Sequence, residues 1–87
     1  MRGGRNTEFT LAALAKGAAA TVAEVRDAGP LGRRLMDLGL IPGAAVECVG
    51  RAPLGDPAAY LIAGAVIAIR RRDAESVLRE GERREDL

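Results

Sequence analysis

Apolar and polar positions alternate in three runs of the second half of the chain. In AAVECVGR, Val46 and Cys48 fall on one face of an extended segment, and Glu47 and Val49 on the other. In AYLIA, Tyr60 and Ile62 oppose Leu61; in AVIAIRRR, Ile67 and Ile69 oppose Val66 and Ala68. Gly64 separates the last two runs, which fits a tight hairpin or a bulge. The stretch RAPLGDPAAY, Arg51 to Tyr60, joins the first two and reads as a wide hairpin connection. Pro53 and Pro57 stiffen it, Gly55 supplies the bend, and Asp56 can accept local backbone hydrogen bonds.

The first half carries a different period. Leu31, Leu35 and Leu38 follow the i, i+4, i+7 spacing of one buried helix face, while Arg33, Arg34 and Asp37 point elsewhere. Pro30 suits the start of that helix. Gly39 suits its end in a left-handed conformation, and Pro42-Gly43 is a turn signal with positive φ at the glycine. Before it, AAATVAEVRD reads as a strand. Its core contacts, Val22 and Val25, sit three apart, which predicts a bulge or bend. Near the N-terminus Thr10 is placed to cap a short helical turn, with Leu11 and Leu14 on one side and Gly17 as the stop. Near the other end Asp73 is placed to cap a second turn, DAESVL, returning Val77 and Leu78 to the core. Several short strands, one helix in a long connection and frequent turns predict a small, strongly bent antiparallel barrel with helical decoration. A ferredoxin-like sandwich would need two full-length helices.

The length of 87 residues suits one small domain with a thin core. The expected boundaries are a flexible N-terminus over 1–9, the domain over 10–78, and a loose charged tail over 79–87. Hydrophobic residues make up 48% and charged residues 29%, as in a globular chain. With Phe9 and Tyr60 as the sole aromatics, the core is aliphatic, and no stacking platform for single-stranded nucleic acid can be built. A net charge of +1 gives no electrostatic reason for nucleic-acid binding. The absence of a long apolar run excludes a transmembrane helix. Arginines near the N-terminus lack the apolar stretch of a signal peptide, so the expected location is the cytoplasm.

Candidate chemistry is sparse. Cys48 is the one cysteine and there is no histidine, which excludes an internal disulfide and zinc sites built on Cys and His. Within an apolar strand pattern, Cys48 reads as a buried structural thiol rather than a ligand for a soft metal. Asp27, Asp37, Glu47, Asp56, Asp73 and Glu75 lack any ligand spacing. Lys16 has no phosphate-loop context, and no group has the setting of a general acid, base or nucleophile. The sequence therefore points away from an enzyme. Arg33-Arg34 and Arg70-Arg71-Arg72 read either as a solvated face or as a docking surface for carboxylates and phosphates. The solvated face is the commoner of the two.

The order of these pieces resembles the FeoA family. The resemblance runs from about Thr10 to Leu78. Its most specific parts are Arg34-Leu35-Met36-Asp37-Leu38-Gly39 with Pro42-Gly43, then Ala52-Pro53-Leu54-Gly55-Asp56-Pro57, with Gly64, Ile67-Ala68-Ile69-Arg70 and Ala74-Glu75 following in order. It implies a mainly β, SH3-like barrel with a short helix after the first strand and short helical turns near both ends. It also implies a cytoplasmic, non-enzymatic accessory of bacterial ferrous iron transport, acting on the membrane transporter FeoB with its cytosolic GTPase domain. A related domain occurs in metal-dependent repressors of the diphtheria toxin type, but no helix-turn-helix is present here. One departure stands out. Ala63 and Ala65 flank Gly64 where the family often carries an arginine and an aromatic, which reduces any partner surface there. The expected contacts are Arg33, Arg34, Asp37, Leu54 and Asp56. The alternative is a metal-responsive protein in which a divalent ion such as iron binds surface carboxylates or Cys48 and switches association. Self-association through an exposed barrel edge is compatible with both.

Overall fold

A computed structural model describes residues 9–80, and the backbone of 83–84. The stretch Met1 to Asn6, expected to be frayed, lies outside the described residues. The element order is a 3-10 turn (Leu11–Ala13), β1 (Ala18–Val25), α1 (Pro30–Asp37), β2 (Ala45–Arg51), β3 (Ala58–Ile62), β4 (Ala65–Ile69), α2 (Arg71–Ala74), β5 (Val77–Arg79) and β6 (Arg83–Arg84). The sheet is antiparallel in the order β4-β3-β2-β1-β5, with β6 also on β1. It curls without closing, since no ladder joins β4 to β5 among the described residues. This is the expected mainly β, SH3-like architecture.

The alternation predicted for β2, β3 and β4 is the observed one. Val46, Cys48, Tyr60, Ile62 and Ile69 are buried, whereas Val49, Leu61, Val66 and Ala68 face outward. The three-residue spacing of Val22 and Val25 does mark a bulge: pairing of β1 with β5 shifts register between Val22 and Glu24. The extra residue lets both valines turn toward the inside of a bent strand. Ala63 and Gly64 form the β3–β4 turn, both at positive φ (52° and 85°), the handedness that a two-residue hairpin requires.

The 3-10 turn closes the open side of the curl, with Leu11 and Leu14 fully buried. Thr10 occupies the N-cap position, but its side chain makes no cap bond there; the turn closes through Ala13 N–H to the Thr10 carbonyl, 3.1 Å. Three side chains from distant strands hold this segment by its carbonyls. Arg79 Nε donates to Thr10 O at 2.9 Å, Tyr60 Oη to Leu11 O at 3.3 Å, and Arg51 Nη2 to Ala12 O and Leu14 O at 3.2 and 2.6 Å. Buried carbonyls need such partners. Arg79 also lies over the Phe9 ring, 5.9 Å from its centroid. The first residue assigned from sequence to a charged tail is thus 6% exposed and within β5.

α2 begins earlier than the sequence suggests. Arg70 is its N-cap residue and Asp73 lies inside it, with Ser76 Oγ donating to the Asp73 carbonyl. Val77 and Leu78 follow as strand rather than helix, because β1 offers a free edge to pair with.

Candidate docking face

α1 is fixed at both ends. At its N-terminus Asp27 Oδ1 accepts from Gly29 N–H (2.7 Å) and Gly32 N–H (3.1 Å), satisfying one of the donors that a helix start leaves without an internal partner. At its C-terminus Gly39 N–H donates to Met36 O and Leu40 N–H to Leu35 O, with Gly39 at φ 111°. These two bonds and the glycine conformation make a Schellman cap. Leu35 and Leu40 bury this end in the core, and Leu31 and Leu38 pack partly against it. The opposite side is therefore held out rigidly, and it carries Arg33, Arg34 and Asp37, all exposed. The three share the rim of a shallow hollow with Ala28, Gly29 and Pro30. Among the described residues neither guanidinium has an ion-pair or hydrogen-bond partner.

The other two expected contacts lie on the β2–β3 loop and do not line that hollow. Leu54 is 95% exposed at the loop tip. Asp56 has a structural partner: its Oδ1 accepts from Arg71 N–H at 2.9 Å and caps the first turn of α2 from 15 residues away. The local backbone bonds expected of it are replaced by this long-range one. A further side chain, to which the sequence reading gave no role, anchors the loop. Arg51 Nη1 donates to Gly55 O at 3.4 Å while its Nη2 holds the 3-10 turn. A planar guanidinium, with five donors on a fixed fork, suits carbonyls that lie on separate segments.

A second hollow, of about 340 Å³, lies between α1, β4 and α2. Leu35, Leu38, Ile67 and Ile69 line it, with Arg34, Arg70 and Asp73 also around it. Arg34 thus lines both hollows.

Metal-ligating groups are not gathered. Among the described residues no three His, Cys, Asp or Glu side chains cluster. The Cys48 thiol is fully buried, 3.7 Å from Gly50 O, as a structural thiol would be. Its cross-strand neighbour Tyr60 is buried too, and that burial raises the phenol above its ordinary range, with Cys48 adding and Arg51 opposing. The folded state then holds this proton more tightly than the unfolded chain does. The associated stability is complete below the ordinary tyrosine value of about 10 and is lost as pH rises through the folded value. Phenolate absorbance at this single tyrosine is expected to rise late in an alkaline titration, together with loss of the folded circular dichroism signal. A titration near the ordinary value with the fold intact would contradict this placement.

No helix among the described residues is long and apolar enough to cross a membrane. A family model described as the FeoA domain matches residues 9–80. Solved structures agree. The zinc complex of a FeoA from Stenotrophomonas maltophilia, described as a prokaryotic SH3 domain protein, is 28% identical, with a TM-score of 0.78 over 86% of this chain and 95% of that one. A FeoA from Chlorobium tepidum is 38% identical, with a TM-score of 0.74 over 80% of this chain and 67% of that one. A manganese-dependent transcriptional repressor shares the fold at 20% identity and TM-score 0.73, this chain spanning 40% of its length. No protein with a curated description matches the chain.

Proposed function

Because the chain belongs to the FeoA family, which is linked to ferrous iron transport, we propose that it is a non-catalytic accessory protein of bacterial ferrous iron uptake. It docks on the cytosolic, GTPase-containing part of a FeoB-type transporter and works at the inner face of the membrane through that partner. The observation that carries this reading is the α1 face. Two guanidinium groups without a partner and one carboxylate stand exposed on a helix capped at both ends, and no cluster of metal-ligating groups lies elsewhere among the described residues. Arginine forks on a rigid element favour a carboxylate- or phosphate-bearing partner surface. Leu54, bare at the loop tip, is the second contact in this reading. Asp56 has the structural task described above.

Charge reversal of Arg33 and Arg34 to glutamate is expected to weaken binding of the transporter's cytosolic domain by tenfold or more, about 1.4 kcal/mol. The melting temperature should hardly move, because exposed helix residues contribute little. Unchanged capture of that domain by a folded double variant would remove the α1 face from the proposal. GTP turnover by the domain, with and without this protein, then reports what docking does.

The zinc complex of the Stenotrophomonas maltophilia protein favours a second reading, in which a divalent ion binds directly and switches association. Anaerobic calorimetric titration with ferrous iron separates the two: stoichiometric heat supports direct binding and a flat trace removes it. The accessory reading is preferred because no ligand set gathers among the described residues.

A further inference from the structure

β4 is an edge strand with one side of its backbone bare. The Ala63–Gly64 turn makes Ile62 and Ala65 the closing pair, and pairing continues through Tyr60 with Ile67 and Ala58 with Ile69. In such a ladder alternate residues turn their N–H and C=O groups away from the partner strand. Those residues are Val66 and Ala68. No hydrogen bond satisfies them on the outer side among the described residues, and Val66 is 63% exposed. An edge of this kind is a template for one more strand.

Two observations say what would cover it. The hollow between β4, α1 and α2 lies along this edge; Leu35 and Ile69 are buried beneath it, and Leu38 and Ile67, half-buried, are the apolar surface an entering side chain would meet. Arg34 and Arg70 line the same hollow, and neither guanidinium has a partner among the described residues; Asp73 is the one acid there. The remaining charge therefore favours an anionic occupant. A second copy of this chain would bring its own Arg34 and Arg70 to the same seam, where like charges oppose pairing.

We propose that the β4 edge and the adjoining hollow take an extended, acidic segment of a partner protein, paired main chain to main chain with Val66 and Ala68. An apolar side chain of that segment enters the hollow, and a carboxylate two residues along, on the same face, meets Arg34 and Arg70. The inference deepens the docking reading above by naming how a partner is held, and rests on it for the partner's identity alone.

The probes are two capped pentapeptides, Val-Thr-Glu-Thr-Val and Val-Thr-Lys-Thr-Val, which carry their valines and their charge on one face; binding is followed by amide NMR and hydrogen exchange on the full chain. The glutamate peptide is expected to shift the Val66 and Ala68 amides and slow their exchange threefold or more at saturation. The lysine peptide should do neither. Ala68→Pro removes an outward N–H that no ladder bond uses and is tolerated at an edge; it should abolish the effect while the melting curve stays close to that of the parent. Arg34→Glu with Arg70→Glu should transfer the preference to the lysine peptide. Equal responses to both peptides, shifts confined to other surfaces, or an Ala68→Pro protein that binds like the parent would overturn the proposal. So would Val66 and Ala68 resonances that move with protein concentration alone, since a second copy would then hold the edge. The transporter's cytosolic domain is titrated separately. If it binds parent and Ala68→Pro alike, docking stands and the edge site fails. If it does not bind while the glutamate peptide protects the edge, the site stands and the docking reading fails.

Discussion

Gly32→Ala is expected to destabilise this domain by about 3 kcal/mol or more, a large share of the roughly 5–15 kcal/mol that holds a small domain together. Helix propensity alone predicts the opposite sign, since alanine in a helix is favoured over glycine by about 1 kcal/mol. The geometry decides. A Cβ on Gly32 would lie 1.7 Å from the Asp27 carbonyl oxygen and 2.7 Å from its carbon, both backbone atoms. Asp27 cannot retreat easily, because its carboxylate is bonded to Gly29 and Gly32 and the next residue back, Arg26, is tied to Ser76 O at 2.7 Å. Either α1 lifts off β1, drawing Leu35 out of the core, or the Asp27 peptide turns and the cap is lost. Urea unfolding followed by far-ultraviolet circular dichroism measures the loss. The melting temperature should fall by about 12 °C or more for a domain of this size. Gly29→Ala is the internal comparison: its Cβ would sit at an ordinary 3.4 Å from Asp27 Oδ1, so its cost stays near the few tenths to 1 kcal/mol of a poorer N-cap, roughly. Equal midpoints for the two variants would refute the close approach. A second consequence is functional, for the helix backbone that Gly32 lets approach Asp27 is the one that sets Arg33 and Arg34.

The pattern of the chain carried the fold because each element is specified locally. Period and caps place α1, alternation places β2 to β4, and the odd spacing of Val22 and Val25 places the bulge. What local pattern does not carry is any bond between residues far apart in sequence. Asp56 looks like a turn residue, yet its acceptor serves Arg71, and for that reason α2 starts at Arg71 and leaves Asp73 inside it. Arg79 looks like the start of a charged tail, yet it lies within the domain and serves Thr10. The same limit applies to the candidate site. Arg33, Arg34 and Asp37 could be grouped from helical spacing, whereas no periodicity shows that Arg34 also shares a hollow with Arg70.

Arg51→Met is expected to cost about 2–4 kcal/mol, from hydrogen bonds to a charged group worth roughly 1.5–3 kcal/mol each when their loss leaves partly buried carbonyls without a donor. Methionine keeps much of the apolar stem, so the loss reports the guanidinium rather than the packing. Three carbonyls are orphaned, those of Ala12, Leu14 and Gly55. Ala12 and Leu14 belong to the segment that closes the curl of the sheet, and Gly55 to the loop that presents Leu54. The variant should therefore release the segment before the sheet unfolds, as a local opening. Amide exchange would show it: Ala13 and Leu14, bonded to Thr10 O and Leu11 O, should exchange at least tenfold faster, while the β3–β4 ladder is slowed or quickened only with global stability. Arg51→Lys should recover part of the loss, because an ammonium can reach one carbonyl but not span all three. Arg33→Glu with Arg34→Glu gives the contrast, with stability kept and docking lost. If Arg51→Met proved as benign as that pair, the Arg51 guanidinium would be expendable, and the closing segment would owe its place to Leu11 and Leu14 with the bonds from Arg79 and Tyr60.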